Sequence, residues 1–232
     1  MLFISDLVVE RRECMKKLFV AIRQGDIDAV KALLQKKPEL ISCTAKQPPK
    51  KDHGQSPLQV AIKSGNFEIA EYLLDCGADV NFMEKESCYE WRMPVLQDAI
   101  MAAVMSSRWN INNAMMGFRE FNSKEKADKS FHVLKRMIDM GADVSCLDSY
   151  GNSCLVRAIL DARQILPTYY YKDDRVANDR IITNELKEDL MQIFDLLLQK
   201  GADIYERDKR NNKTLCESYA REPVAQFLVK SK

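Results

Sequence analysis

The tripeptide Gly-Ala-Asp occurs three times in this chain, as Gly77-Ala78-Asp79, Gly141-Ala142-Asp143 and Gly201-Ala202-Asp203. Each copy follows an apolar pair by three or four positions, and Val or Ile comes directly after it. Glycine tolerates the left-handed backbone conformation in which many helices end. The chain therefore repeats one local pattern, a helix, a sharp stop and a short extended stretch, and this predicts an array of similar units.

A second pattern lies before the first stop. The segment Ser56-Pro57-Leu58-Gln59-Val60-Ala61 resembles the ankyrin-repeat signature Thr-Pro-Leu-His-x-Ala. Degenerate copies begin at Pro94, Ser153 and Lys213, and Leu18 to Gly25 matches Leu58 to Gly65 position for position. The chain thus resembles ankyrin-repeat proteins, with about five repeats. The alternative is a plain helical bundle with chance similarities.

The resemblance implies an all-α solenoid of stacked helix pairs, joined by short hairpin-like loops that we call fingers. One pair cannot bury its apolar face alone, so neighbouring pairs must stack. We expect residues 1–14 to form an N-terminal tail or a capping turn, and residues 15–232 to form a single ankyrin-repeat domain. The repeats are placed at approximately 15–50, 51–90, 91–147, 148–207 and 208–232.

Two long insertions separate the helices of the third and fourth pairs. The repeat alanine precedes the next apolar pair by 12 residues in the first two repeats, as from Ala61 to Leu73, but by 38 and 39 in the next two. The insertions span roughly 103–128 and 162–188 and are rich in apolar residues, which excludes a disordered linker. We expect them to lengthen the helices and to form a helical lobe in which Trp109 is mostly buried. The other interpretation is that their aromatic residues line a ligand groove.

The composition excludes several classes of protein. The net charge is +1 and no apolar run is long enough to cross a membrane, so we expect neither a nucleic-acid nor a membrane partner. Residues 1–6 lack a basic region, so we expect no signal peptide. Seven cysteines without a Cys-x-x-Cys motif indicate reduced thiols and a cytoplasmic protein.

The sequence contains no recognisable catalytic or cofactor motif. Its two histidines are far apart, so we expect no metal site, no cofactor and no catalytic residue. Acidic residues cluster in or beside the second insertion, at Asp173, Glu185 and Asp189, and a solvated helix face explains them better than hydrolysis does. The run Tyr169-Tyr170-Tyr171 could stack on single-stranded nucleic acid, but interleaved aspartates cancel the neighbouring positive charge.

The finger tips are the candidate binding surface. Ankyrin repeats typically bind proteins through these tips and through the inner face of the first helix of each pair. Carried over by position, the tip holds His53, Trp91, Tyr150 and Arg210, and the position before it holds Asp52, Glu90, Ser149 and Lys209. Lys63 and Met101 extend the surface onto the helices. Successive tips should lie about 10 Å apart, and Trp, Tyr and Arg often anchor interfaces. The alternative is that solvent-exposed turns carry such residues without a binding role.

These observations predict a non-catalytic scaffold that binds an unidentified protein or peptide, with a monomer favoured. A module of another class, responsive to a small molecule held in a pocket of the inserted lobe, is the alternative prediction. Hydrolysis by the acidic insertion is a third and weaker hypothesis.

Overall fold

A computed structural model describes residues 2–115, 117–207 and 212–229, and for residues 2–8 it describes the backbone only. Within these residues the chain forms nine α-helices, three short 3-10 turns and two β-hairpins. The helices are α1 (Leu2–Gln24), α2 (Ile27–Lys36), α3 (Pro57–Lys63), α4 (Phe67–Asp75), α5 (Val95–Ser106), α6 (Lys124–Asp139), α7 (Cys154–Ile165), α8 (Asn184–Gln199) and α9 (Leu215–Tyr219). The 3-10 turns span Pro38–Ser42, Lys50–Asp52 and Pro223–Phe227.

The helices pack in two rows. The first helices of the pairs contact one another in the order α1, α3, α5 and α7, and the second helices do so in the order α2, α4, α6 and α8. The short α9 pairs with the turn Pro223–Phe227 and closes the array. One continuous apolar core runs through all the pairs, from Leu18 to Leu228. This arrangement confirms the predicted all-α solenoid.

Each Gly-Ala-Asp stop has the predicted geometry. Gly77 has a φ of +81°, and the two corresponding glycines also have positive φ. The amide of Ala78 donates to the carbonyl of Leu73 at 3.0 Å, and that of Gly77 donates to Leu74 at 3.0 Å. This pair of hydrogen bonds is the Schellman motif, which satisfies the last carbonyls of a helix. The same 6→1 hydrogen bond ends α6 and α8.

The first helix of the second pair also begins as its sequence predicts. Pro57 occupies the first turn of α3, where its missing N–H leaves no hydrogen bond unmade. Ser56 and Gln59 form a reciprocal capping box at this end. The repeat alanine Ala61 is fully buried, as are its counterparts in the other pairs, so the two helices of a pair approach closely there.

Residues 2–14 differ from the prediction of a tail or a capping turn. They form the first half of the 23-residue helix α1. Lys37 explains part of this extension, because its ammonium lies 2.9 Å from a carboxylate oxygen of Glu10 and ties α1 to the loop after α2.

The insertions differ from the predicted helical lobe. They do lengthen their helices, since α5 has 12 residues where α3 has 7. Their middle parts, however, form antiparallel hairpins, β1 (Asn110–Asn113) with β2 (Gly117–Glu120) and β3 (Tyr169–Tyr170) with β4 (Arg175–Val176). Gly117 and Asp174 have positive φ, and this allows the chain to reverse without a helical connection.

The two insertions pack on each other, as the helix-lengthening interpretation predicts. The side-chain amide of Asn110 donates to the carbonyl of Ile181 at 2.7 Å and accepts from its N–H at 2.8 Å. Arg108 donates to both carboxylate oxygens of Asp189 on α8. Trp109 packs against the apolar core and stacks on Phe121, with ring centroids 4.3 Å apart. This burial agrees with the expectation of a mostly buried Trp109.

The glycine stop can be tested at Gly77. A Cβ there meets no atom within 4 Å, so the variant Gly77→Ala isolates the cost of the left-handed backbone. We expect it to lower the free energy of unfolding by about 1 kcal/mol, measured by urea denaturation. Gly77→Asn should lose less, because asparagine tolerates positive φ. Equal losses for the two variants would contradict this explanation.

Candidate protein-binding surface

The fingers contact one another directly and form a continuous edge of the solenoid. The ammonium of Lys46 on the first finger lies 2.9 Å from the carboxylate of Glu86 on the second. A Cβ on Gly54 would lie 1.7 Å from the carbonyl oxygen of Glu86, so only glycine permits this approach. On the next pair of fingers, Ser149 donates its amide to the carbonyl of Arg92 at 3.0 Å. The predicted column of tips is thus a contiguous surface over three fingers, while Lys209 and Arg210 lie outside the described residues.

Trp91 does not project freely from its finger. It is half-buried, and its indole N–H donates to the carboxylate of Asp148 at 2.8 Å. The guanidinium of Arg157 on α7 lies 5.3 Å from the centroid of the indole ring. The prediction of an exposed Trp91 was wrong, because the lengthened second finger leans on the third finger and buries much of the ring there. This residue joins two repeats.

Asp52 is also unavailable as a surface contact. It is 5% exposed, and its carboxylate lies 2.9 Å from the guanidinium of Arg23 on α1. His53 beside it is half-buried, with Nε2 at 3.9 Å from Glu86 and with a buried Nδ1 that has no hydrogen-bond partner in the described structure. The first finger is thereby anchored to α1 and to its neighbour.

Tyr150 is an exposed aromatic residue of the column. Its side chain is 64% exposed. Its backbone is held in place, because Asp148 accepts from the amides of Tyr150 and Asn152 at 2.8 and 2.9 Å. The neighbouring Glu90 and Ser149 are exposed as well. Tyr89 and Tyr205 are also exposed on the fingers, but neither was predicted as a contact residue. Both lie outside the helical spacing of the core residues, and this is the signal that could have identified them.

The inner face of the first helices covers a buried polar cluster. Lys63 is exposed and Met101 is half-buried, as a contact surface requires. Beneath them, Nε2 of Gln59 donates to Asp98 at 2.7 Å and to Glu84 at 3.2 Å. Asp98 is 1% exposed, and its second carboxylate oxygen lies 3.7 Å from the ammonium of Lys63. Burial raises the pKa of Asp98 to about 7, against the opposing effect of Lys63.

The inserted hairpins present little that could act chemically. A cavity of about 260 Å³ lies at the base of the second hairpin, and Arg163 and Glu222 on its wall are paired at 2.6 Å. Tyr169 donates to Asp174 and Tyr171 donates to Glu222, and these contacts occupy two of the three hydroxyls of the tyrosine run. Asp189 is neutralised by Arg108, whereas Asp173 and Glu185 are exposed.

Two further observations concern ions and membranes. Among the described residues, no group of three or more His, Cys, Asp or Glu side chains could hold a metal ion. Within the same residues, none of the helices combines the length and the apolar character needed to cross a bilayer.

The buried carboxyl of Asp98 predicts a pH-dependent stability. Because its pKa is raised in the folded state, the wild type should lose stability as the pH rises from about 4 to about 7. Asp98→Asn imitates the protonated form and should remove this loss. As the pH rises from about 5 to about 8, we expect the free energy of unfolding of the variant to increase by about 2 kcal/mol relative to that of the wild type. Parallel pH profiles from urea denaturation would show that Asp98 does not titrate in this range.

Comparison with known proteins agrees with the repeating geometry. Residues 6–84 match the family model for ankyrin repeats, in three copies. No curated protein matches the chain. The match covers the first two helix pairs and part of the second finger, and the helix pairs that follow repeat the same helix stops and the same finger bridges. Residues 6–84 are therefore ankyrin repeats, and the continuing architecture supports an ankyrin-repeat fold for the helix pairs that follow.

Proposed function

We propose that the protein is a non-catalytic scaffold that binds a protein or peptide across its finger tips and the inner face of α3 and α5. Ankyrin repeats are generally protein-interaction modules. The observation that carries the finer proposal is Tyr150, an exposed aromatic side chain on a backbone held by buried Asp148. An aromatic anchor that is already ordered loses little conformational entropy on binding.

The contact surface is a revised form of the predicted column. His53, Glu90, Ser149 and Tyr150 lie along the tips, and Lys63 and Met101 adjoin them on the helices. Lys209 and Arg210 extend the column in sequence. Asp52 and Trp91 support this surface from below, because their polar groups are engaged by Arg23 and Asp148. The inserted lobe gains no comparable support as a small-molecule site, since its 260 Å³ cavity is below the usual 300–1,000 Å³ of ligand pockets.

Tyr150→Ala tests the proposed surface, and Tyr170→Ala is its matched control. Tyr170 is 43% exposed but lies on the second inserted hairpin, so the pair of variants separates the fingers from the lobe. A partner captured from the source cells by the wild type is identified, purified and titrated against both variants. We expect Tyr150→Ala to weaken binding by about 2 kcal/mol or more and to change stability by less than about 0.5 kcal/mol.

Tyr170→Ala should bind like the wild type. Loss of binding by Tyr170→Ala with Tyr150→Ala unaffected would move the contact surface to the inserted lobe. Turnover of the captured partner by the wild-type protein would contradict the non-catalytic role.

A further inference from the structure

A deep groove lies at the N-terminal end of the inner face, between α1 and the first finger. Its volume is about 1150 Å³. One wall is a face of α1 that carries Arg11, Arg12 and Lys16, and the other wall is the finger segment with Lys46, Pro48 and Lys51. The groove is outside the predicted column of tips, because none of the described residues proposed above as partner contacts lines it.

The groove exists because two segments exceed the usual repeat. Leu18 to Gly25 corresponds to Leu58 to Gly65, which spans most of α3, so residues 2–16 extend α1 beyond the rest of its row. The first finger is lengthened by Pro48-Pro49 and the 3-10 turn Lys50–Asp52. The ion pair Arg23–Asp52 joins the two walls at their base. The site is therefore formed before anything binds, which lowers the entropic cost of binding.

The floor of the groove is apolar. Met15 and Phe19 lie one helical turn apart on α1, Val20 follows Phe19, and all three line the groove. Val20 is 42% exposed and Met15 is half-buried, so each presents apolar surface to solvent. On the opposite wall, Pro48 is exposed. These side chains would gain from contact with apolar groups of a bound molecule.

The rim of the groove is strongly basic. Six Lys and Arg side chains line it, and none of the described residues of its lining is acidic. Lys16, Arg23 and Lys46 have ion-pair partners. Arg11, Arg12 and Lys51 have none within the described part of the chain. Because the whole protein has a net charge of +1, this excess is local and marks the groove off from the rest of the surface.

From this combination we infer that the groove binds an acidic peptide segment with interspersed apolar side chains. Its carboxylates would pair with Arg11, Arg12 and Lys51, while its apolar side chains would cover Met15 and Val20. This inference rests on the proposed function, because it gives the chemistry of the segment that the scaffold would receive at its N-terminal end. Complementary charge directs such a segment to the groove, and apolar contact retains it.

Other anionic partners fit the groove less well. A bilayer cannot follow a concave surface flanked by a finger. Single-stranded nucleic acid binds by stacking its bases on aromatic rings, but Phe19, the aromatic residue among the described residues of the lining, is only 4% exposed. A free phosphate would leave the apolar floor uncovered.

The test uses a fluorescein-labelled peptide of about ten residues, composed of Asp, Glu and Gly with Leu at every third position, and measures fluorescence anisotropy with the full-length protein. One control peptide replaces Leu by Ser, and another replaces the acidic residues by Lys. We expect the acidic peptide with Leu to bind at least about tenfold more tightly than either control, which corresponds to about 1.4 kcal/mol. Added salt should weaken this binding.

Variants of both walls locate the binding site. Arg12→Glu on α1 and Lys51→Glu on the finger should each weaken binding of the acidic peptide by about fivefold or more, and Val20→Ser should weaken it as well. Lys17→Glu is the matched control, because Lys17 is an exposed residue of α1 that does not line the groove. It should change binding by less than about twofold. Thermal melting checks that each variant is folded, and Lys51→Glu leaves α1 intact.

Several results would overturn the inference. The first is that the lysine peptide binds as tightly as the acidic peptide. The second is that Arg12→Glu and Lys51→Glu bind the acidic peptide as tightly as the wild type does. The third is that phosphatidylserine vesicles, a single-stranded oligonucleotide or inorganic phosphate bind more tightly than the acidic peptide. If the acidic peptide fails to bind while a captured partner still depends on Tyr150, the groove inference fails and the proposed function stands. Groove binding without any dependence of a partner on Tyr150 would support the groove and contradict the finger surface.

Discussion

The structure depends on one constraint, that a single pair of short helices cannot bury its own apolar face. Leu58 and Ala61 on α3, for example, are fully buried because α1 and α5, the neighbouring first helices, pack against α3 in addition to its own partner α4. Stacking requires every pair to end at the same place and the chain to leave in the same direction. The left-handed glycine and its Schellman hydrogen bonds supply that regularity. The core is therefore continuous over the repeats, although no pair is large.

Polar contacts between repeats determine how the fingers are held. The N–H of Trp91 donates to Asp148, and Gln59 links Glu84 to Asp98 beneath the inner face. A buried carboxylate is costly unless it is hydrogen-bonded or protonated. Such groups therefore favour one arrangement of neighbouring repeats, and the finger tips are presented on a rigid support. A rigid support suits the proposed scaffold, because the exposed anchor loses little freedom when it binds.

Departures from the regular repeat create the features that distinguish this chain. The two insertions replace short loops by hairpins, and the pair Arg108–Asp189 together with Asn110 fastens them to each other. At the other end, the long α1 and the first finger enclose a basic groove. Both departures extend the first helices of the array, but they differ in charge. The groove gathers six Lys and Arg side chains, whereas Arg108 of the inserted lobe is paired with Asp189.

The amino-acid sequence by itself determined the solenoid, its helix stops and the position of both insertions, because glycine geometry, capping and apolar spacing act within a few residues. Tyr150 was predictable at a finger tip for the same reason. Tertiary structure alone decided that Trp91 is half-buried against Asp148, that Asp52 pairs with Arg23, and that Arg108 of the first insertion pairs with Asp189 on α8. These outcomes depend on contacts between residues from 29 to 81 positions apart. Local patterns carry no information about such contacts, since the energy that decides them is gained only when the repeats stack.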